Sequence, residues 1–365
     1  MNKVLFVVSE DWYFLSHRIA LAKSLIEDGK EVFLVAQVGE SREEIEKEGI
    51  KVLPWKLNRS SKNPLVEILS INTLVRHIKN INPDIVYSVA LKPNIYSGIA
   101  SYFVNTKRQI YAVGGLGYLF QNENKSSLQN IIKFILKSIL SRPKSKLIVQ
   151  NSFDKEFFLN LNIPERNIFL IEGSGVDTNK FCFKEINEYP CKVLFSGRLL
   201  YDKGLKDFVS LAIKFKDRND IEFIVAGERD PQNPACIEAK VIEEWKKINN
   251  IKFLGKVNDM PKLISESHIM CLPSYHEGFP KALLEGASSG RPILAYDIPG
   301  CRSIIHENKN GFIVKLKDES SLYQKLDHLY RNPHLIKDMG LEGRRLVLER
   351  YSDKQINNQI KSILN

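Results

Sequence analysis

Strand-length apolar runs alternate with stretches whose apolar residues recur at helical spacing over almost the whole chain. The first series reads KVLFVVS, a helical pattern over about Leu15 to Asp28, EVFLVAQ, a helix near Glu43 to Glu48, and KVLPW. It continues with EILSINTLVRHIKNI as a helix, DIVYSV as a strand, a helix over about Asn94 to Val104, and the strands QIYAV and KLIVQ. Runs that stay apolar without alternation suit strands buried on both faces, and the helices between them are the crossovers a parallel sheet needs.

The loop EGSGVDTNKF interrupts this rhythm and a second series follows. It has KVLFSG, a helix around Asp207 to Phe215, EFIVAG, a helix around Ala235 to Ile248, IKFLG, the helix MPKLISES, IMCLP, the helix KALLEGASS, PILAY and GFIV. From about Leu335 to Asn365 the pattern is helical with no strand of its own. The expected fold is α/β: two doubly wound, Rossmann-like domains, residues 1–175 and 176–345, with the change falling between about Gly173 and Pro190. Tandem domains of this kind bring the carboxyl ends of both sheets to a central cleft, where open α/β sheets bind ligands.

Composition narrows the class. At 365 residues the chain exceeds one ordinary core and has the apolar content to fill two. Its five cysteines are odd in number and form no C-x-x-C pair, which argues against a disulfide scaffold or zinc ribbon and favours a reducing compartment. The amino-terminal apolar run is too short for a secretion signal and reads as a strand, and no segment approaches the roughly 20 uninterrupted apolar residues of a spanning helix. The formal charge of +10 biases the protein toward anionic partners. Between Lys107 and Lys146 eight basic residues, among them Lys125, Lys133, Lys137 and Arg142, face a single acid, Glu123.

The stretch SYHEGFPKALLEG, Ser274 to Gly286, follows the strand IMCLP and opens a helix for which Pro280 suits the first turn. Glu277, Gly278 and Phe279 thus sit at a helix start, where free amide hydrogens and the dipole favour a phosphate or another polar anion. Glu285 lies about one and a half turns inside. The two carboxylates either hold hydroxyls of one polyhydroxylated ligand or merely complement a helix dipole and decorate its surface. In FSGRLLYDKG, Arg198 and Lys203 follow a strand end of the same sheet and suit a diphosphate as a fork and a point charge.

FSGRLLYDKG, IVAGERDPQNP, IKFLGKVNDM, CLPSYHEGFPKALLEGASSGRPILAYDIPGCRSII and NGFIV, in that order, resemble the donor-binding half of retaining glycosyltransferases of family 4, which have the GT-B fold. VVSEDWYFLSHRIALAKSL and AVGGLGYLF resemble the branch that builds bacterial capsule, O-antigen and related lipid-linked glycans. The resemblance implies that Glu277 contacts the donor hexose and Glu285 the ribose. Arg198, beside Gly197, and Lys203 would neutralise the diphosphate with help from the backbone at Gly278, Phe279, Pro280 and Lys281. Lys256 and Val257 would border the base, and residues 346–365 would form a helix packing back on the first, acceptor-binding domain.

With no Asp-x-Asp pair and no clustered His/Cys set, neither a metal nor another cofactor is expected. Fixed charges and dipoles would then stabilise the leaving nucleoside diphosphate. The resemblance further implies retention at the anomeric carbon, a leaving phosphate oxygen taking the acceptor's proton. Where many relatives carry a histidine in the first domain, this chain has Gly114 and Gly115. His17, beside Arg18, is the nearest histidine candidate, as a phosphate or proton contact or as a plain helix-surface residue. Gly114, Gly115 and Gly117 suit close backbone approach to a ligand. His276 precedes Glu277, and the other histidines have no motif context.

The expected function is therefore transfer of a hexose or N-acetylhexosamine from a UDP-linked sugar to a polyprenyl-diphosphate-linked saccharide. A sugar-nucleotide epimerase of the same architecture and a non-catalytic sugar-nucleotide-binding subunit are the alternatives. The basic segment KSSLQNIIKFILKSILSRPKSK reads either as an amphipathic helix packed on its own sheet or as an interfacial helix on an anionic membrane surface. Relatives of the resembled branch favour the latter, which implies a cytoplasmic protein peripheral on the inner face of the plasma membrane. Nucleic acid is not expected as a partner, since no binding module or aromatic platform is present.

Overall fold

A computed structural model describes residues 2–57, 61, 63–115, 127–185 and 190–364. The chain divides into two compact units, one formed by residues 1–174 with 354–365 and the other by residues 175–353.

The first unit carries β1 (Lys3–Glu10), α1 (Asp11–His17), α2 (Ile19–Glu27), β2 (Glu31–Gln37), α3 (Arg42–Lys47), β3 (Lys51–Pro54), α4 (Pro64–Ile81) and β4 (Ile85–Val89). It continues with α5 (Leu91–Ala100), β5 (Arg108–Val113), α6 (Ser127–Leu140), β6 (Ser145–Val149), α7 (Ser152–Asn160) and β7 (Ile168–Leu170). The strands form one parallel sheet in the order β3-β2-β1-β4-β5-β6-β7. Along β1, Val4, Phe6 and Val8 enter the core under α1, α2 and α3, while Leu5 and Val7 enter the core under α4 and α5. That is why the strand shows no polar alternation. Helices α4, α5, α6 and α7 share one face of the sheet, with Leu74, Tyr96, Ile139 and Phe158 among the residues they bury.

The helix expected from Leu15 is two helices and starts earlier. Asp11 is buried and accepts from the amides of Trp12 at 2.7 Å and Gly39 at 2.5 Å, which anchors α1 at its first residue. Arg18 leaves helical geometry, with φ −129°, and is buried with its guanidinium 5.9 Å from the Tyr87 ring centre. The short edge strand β7 and the helix α7 were not foreseen in the sequence.

The second unit carries β8 (Cys191–Ser196), α8 (Leu205–Lys214), β9 (Ile221–Ala226), α9 (Ala239–Trp245), β10 (Ile251–Gly255), α10 (Met260–Ser265) and β11 (Ile269–Leu272). Then come α11 (Lys281–Ser288), β12 (Ile293–Tyr296), α12 (Pro299–Arg302), β13 (Gly311–Val314), α13 (Glu319–Arg331) and α14 (Pro333–Arg350). Its sheet is parallel in the order β10-β9-β8-β11-β12-β13.

The last helix, α15 (Asp353–Leu364), belongs to the first unit, so the chain changes unit at 353/354 rather than at the expected 345/346. The reason is visible in α14, whose Leu346 and Val347 remain in the second core together with Tyr351. On α15, Ile356, Ile360, Ile363 and Leu364 repeat at i, i+4, i+7 and i+8 and are buried in the first core. Each such burial stabilises by roughly 1.5–3 kcal/mol. Arg108 Nη1 donates to the Ile363 carbonyl at 2.7 Å, and Lys361 pairs with Asp28 at 2.8 Å.

Candidate functional site

In the second sheet the strand order reverses at β8, whose neighbours are β9 on one side and β11 on the other. Such a reversal opens a crevice at the carboxyl ends of the strands. Arg198 and Lys203 leave β8, Lys256 and Val257 leave β10, and residues 277–280 lead from β11 into α11. The candidates picked from separate motifs therefore share one sheet edge.

The loop after β8 is tied to the loop after β11. Ser274 Oγ and the Tyr275 amide both donate to the Asp202 carbonyl, at 3.0 and 2.8 Å. Lys203 Nζ then reaches Glu277 Oε1 at 2.5 Å. The side chains of Lys203 and Glu277 are only 22% and 9% exposed, so this pair is far less screened than an ordinary surface ion pair. Gly204 closes the turn in left-handed geometry, φ 69°, and a Cβ there would fall on the Pro273 carbonyl oxygen. Tyr275 OH donates to Asp207 Oδ1 at 2.9 Å and Tyr296 OH to Asp207 Oδ2 at 2.7 Å, which fixes the loop from beneath. Gly300 in α12 lies against the carbonyls of Glu277 and Gly278; a Cβ would sit 2.7 Å from the latter oxygen.

Arg198 is also engaged. Its Nη1 lies 2.6 Å from Asp230 Oδ2, in the loop after β9. Backbone bonds from Gly197 N to the Ala226 carbonyl, 3.0 Å, and from Leu199 N to the Glu228 carbonyl, 2.9 Å, hold the two loops in register. Gly227 N donates to the Gly255 carbonyl at 2.8 Å, which brings the exit of β10 alongside. Lys256 is exposed there and Val257 half-buried. A cavity of about 420 Å³ opens beside these strand ends, lined by Leu199, Gly227, Glu228, Phe253 and Gly255 together with α9.

Helix α11 starts at Lys281, so Pro280 is its N-cap rather than its first residue, and no side chain caps it. The Phe279 ring is buried 5.4 Å from the Tyr351 ring, which leaves Phe279 only backbone to offer a ligand. Glu285 is half-buried, and its carboxylate has no hydrogen-bond or ion-pair partner among the described residues. Burial pushes its carboxyl above the usual range, against the pull of Lys281 and Lys180. His276 has a buried Nε2 without a partner among the described residues, and burial lowers its pKa against the opposing charge of Glu277. Among the described residues no group of three or more His, Cys, Asp or Glu is placed to hold a metal ion.

In the first unit His17 is the last residue of α1, not the start of a helix. Its ring stacks on Tyr13 at 4.4 Å, and its Nδ1 is 2.5 Å from Ser16 Oγ. Arg18 is buried and does not present its charge to solvent. Gly114 follows β5, and a Cβ there would lie 3.6 Å from Gln150 Oε1 and 3.8 Å from Tyr13 OH. Gly115 comes next with φ 119°, and Gly117 lies outside the described residues. The strand order of this sheet reverses at β1 and β4, so Tyr13 and His17 stand at its own switch point.

Sequence reasoning missed Asp230, Asp207, Tyr275, Tyr13 and Gln150. Asp230 stood inside a motif already singled out, IVAGERDPQNP, where an acid four residues past the strand's last core residue, Ala226, was the available signal. Nothing local marks the other four.

Residues 177–364 match the family profile described as "Glycosyl transferases group 1", and residues 3–152 match one described as "Glycosyl transferase 4-like". The chain is 28% identical over 346 residues to the N,N'-diacetylbacillosaminyl-diphospho-undecaprenol alpha-1,3-N-acetylgalactosaminyltransferase of Campylobacter jejuni, covering 88% of this chain and 90% of that relative. It is 26% identical over 276 residues to the UDP-Gal:alpha-D-GlcNAc-diphosphoundecaprenol alpha-1,3-galactosyltransferase of Escherichia coli, covering 71% and 70%. Among solved structures, Anabaena Alr3699/HepE in complex with UDP and glucose superposes with a TM-score of 0.81 at 17% identity, over 100% of this chain and 99% of that one.

Proposed function

The chain belongs to the group 1 glycosyl transferases, and from that premise we propose that it moves a hexose or N-acetylhexosamine from a UDP-sugar to a polyprenyl-diphosphate-linked saccharide with retention of configuration. The observation that carries the reading is the junction of Lys203 and Glu277 beside the start of α11, which sets a cation, a hydroxyl acceptor and helix amides next to one another.

In this reading Glu277 accepts from hydroxyls of the donor hexose and Glu285 from those of the ribose. Arg198 and Lys203 meet the diphosphate charge, assisted by the dipole of α11. Lys256 and Val257 border the base. The bond from the anomeric carbon to the β-phosphate oxygen breaks, the acceptor oxygen bonds to that carbon on the same face, and the acceptor proton passes to the departing phosphate oxygen. Neither a carboxylate nucleophile nor a metal has a step in this scheme. The first unit, through Tyr13, His17 and the backbone at Gly114 and Gly115, is assigned to the acceptor. Two relatives whose names specify undecaprenyl-diphosphate-linked sugars support this choice of acceptor, and the UDP complex of a structural neighbour supports the donor.

No helix among the described residues is long and apolar enough to cross a membrane. The lipid of the acceptor therefore brings the enzyme to the cytoplasmic leaflet as a peripheral protein, with α6 and its Lys133 and Lys137 toward anionic headgroups, and nucleic acid has no part in the reaction.

The test supplies the purified protein with a panel of UDP-sugars and a polyprenyl-diphosphate-linked saccharide, follows UDP release, and reads the anomeric configuration of the product by NMR. Transfer with retention is expected. Conversion of the donor without acceptor would make the protein an epimerase, and donor binding without turnover of any acceptor would make it a binding subunit.

A further inference from the structure

Parallel pairing sets Val113, the last residue of β5, opposite Val149, the last of β6, so Gly114 and Gln150 are neighbours where the two strands end. The residue after Gln150 has a clear task in the fold: Asn151 accepts from the Asp154 amide at 2.8 Å and caps α7. Gln150 has no such task. It is only 7% exposed, yet its carboxamide makes no hydrogen bond to any described residue. A carboxamide carries both donors and acceptors, and almost all buried polar groups in folded proteins find a partner. An amide left open at the carboxyl edge of a parallel sheet, where ligands of such folds lie, is therefore placed for a ligand rather than for the core.

The amide faces a defined space. A Cβ at Gly114 would stand 3.6 Å from Gln150 Oε1 and 3.8 Å from Tyr13 OH, and among the described residues it would meet nothing else within 4 Å. Two polar atoms thus flank an opening that a side chain at position 114 would fill, and Gly114 itself is exposed. Tyr13 is fixed from the other side. The His17 ring stacks on it at 4.4 Å, and its hydroxyl is within hydrogen-bonding reach of the buried Arg18, whose guanidinium can only donate. A hydroxyl that accepts from Arg18 keeps its own hydrogen for the opening. The notch over Gly114 therefore offers an oriented O–H donor and an amide that accepts or donates, a set that matches a sugar hydroxyl. The charge of Arg18 stays behind Tyr13, so the notch does not present the fork of cations that a phosphate calls for.

We propose that Gln150 is an acceptor-contact residue, and that its carboxamide and the Tyr13 hydroxyl together hold a hydroxyl of the acceptor saccharide in the notch over Gly114. This rests on the assignment of the first unit to the acceptor and adds to it a side chain that the sequence did not mark. It also accounts for the bare backbone at Gly114, since the space that a side chain would take is the space that the sugar hydroxyl occupies.

The variants that test this are Gln150→Leu, which keeps the volume and removes the amide, and Gly114→Ala, which puts a methyl group into the notch at distances its neighbours tolerate. Melting curves give the first readout. Because the amide is unpaired in the free chain, Gln150→Leu should melt at or above wild type, whereas loss of a residue that served the fold would lower the transition. The second readout is calorimetric titration of the UDP-loaded full chain with water-soluble, short-prenyl diphosphates that carry N-acetylglucosamine or N,N'-diacetylbacillosamine, the sugars in the names of two relatives. Each single variant should bind the better of these saccharides about tenfold more weakly than wild type. The double variant should fall little further, because both changes remove the same contact, and UDP should bind all four proteins alike. Wild-type saccharide affinity in either single variant would overturn the proposal. So would a lower melting temperature of Gln150→Leu, a parallel loss of UDP affinity, or no binding of either saccharide to wild type. Saccharide binding that depends on Gln150, without transfer from any UDP-sugar, would leave the notch in place and sink the catalytic reading instead.

Discussion

Lys203 Nζ lies 2.5 Å from Glu277 Oε1, although the residues are 74 positions apart and belong to loops after different strands. A carboxylate that accepts from a fixed, mostly buried ammonium is not placed as a free general base. It is held in one orientation, with its second oxygen available to a hydroxyl. The ammonium is likewise held where the amino end of α11 adds its dipole. The pair thus couples the place where phosphate charge is met to the place where the sugar is held.

Removing either member should impair transfer by more than the loss of one contact. Glu277→Gln and Lys203→Ala are each expected to lower kcat/KM by about 100-fold, roughly 2.7 kcal/mol of transition-state stabilisation. Because the side chains touch, the double variant should fall short of the sum by about 1 kcal/mol or more. Steady-state kinetics on the four proteins checks this, and additive losses would show that the pair does not act as a unit.

Glu285 should be a residue that function holds at a cost in stability. Its pKa is raised by burial, so the folded chain binds that proton more tightly than the unfolded chain does, and wild-type stability declines as pH rises through the carboxylate range toward the raised value. Glu285→Gln should therefore melt higher than wild type at neutral pH, with the difference shrinking as pH falls below the ordinary glutamate range. The same variant should raise KM for the UDP-sugar about tenfold with little change in kcat, as expected for a contact made equally in ground and transition states. Melting curves across pH and donor titrations read both effects.

The alternating runs made two parallel sheets legible because a strand buried on both faces cannot hide its composition, as β1 and β4 show. They also placed Arg198, Lys203, Glu277 and Glu285 at strand ends and a helix start. The pairing between these residues was not legible. Lys203 and Glu277 were assigned to different parts of a ligand, and only the fold of two loops around the Asp202 carbonyl brings them together. The break at Arg18 was hidden for a similar reason: no proline or glycine marks it, and its cause is burial of the guanidinium against Tyr87, a residue of a strand that comes much later. β7 escaped notice because only IFL is available to announce an edge strand.

Asp230 should act as a positioning residue for Arg198. Its carboxylate holds Nη1 at 2.6 Å, which restricts a long side chain that is otherwise 39% exposed and leaves the remaining guanidinium hydrogens to face the diphosphate. Asp230→Asn should reduce UDP affinity about tenfold, Asp230→Glu should restore most of it, and Asp230→Asn should have little further effect in an Arg198→Ala background. Calorimetric titration with UDP provides the readout. Tighter binding by Asp230→Asn would instead make the carboxylate a competitor of the diphosphate.

The two tyrosines on Asp207 separate support of the fold from support of the site. Both donate to the same buried carboxylate, Tyr296 from β12 within the core and Tyr275 from the loop that carries Glu277. Loss of either hydroxyl leaves one oxygen of Asp207 short of a charge-assisted bond, a cost of roughly 1.5–3 kcal/mol, or a drop of about 3–12 °C in the melting temperature of a domain this size. Tyr296→Phe should stop there, because β12 does not border the diphosphate residues, and its KM for the donor should match wild type once measured well below the melting transition. Tyr275→Phe should show the same thermal loss together with a raised donor KM, since the released loop is the one that presents Glu277 to the sugar. Equal donor KM values in the two variants would mean that Asp207 braces the sheet and that the bonds from Ser274 and the Tyr275 amide to Asp202 suffice to hold the site.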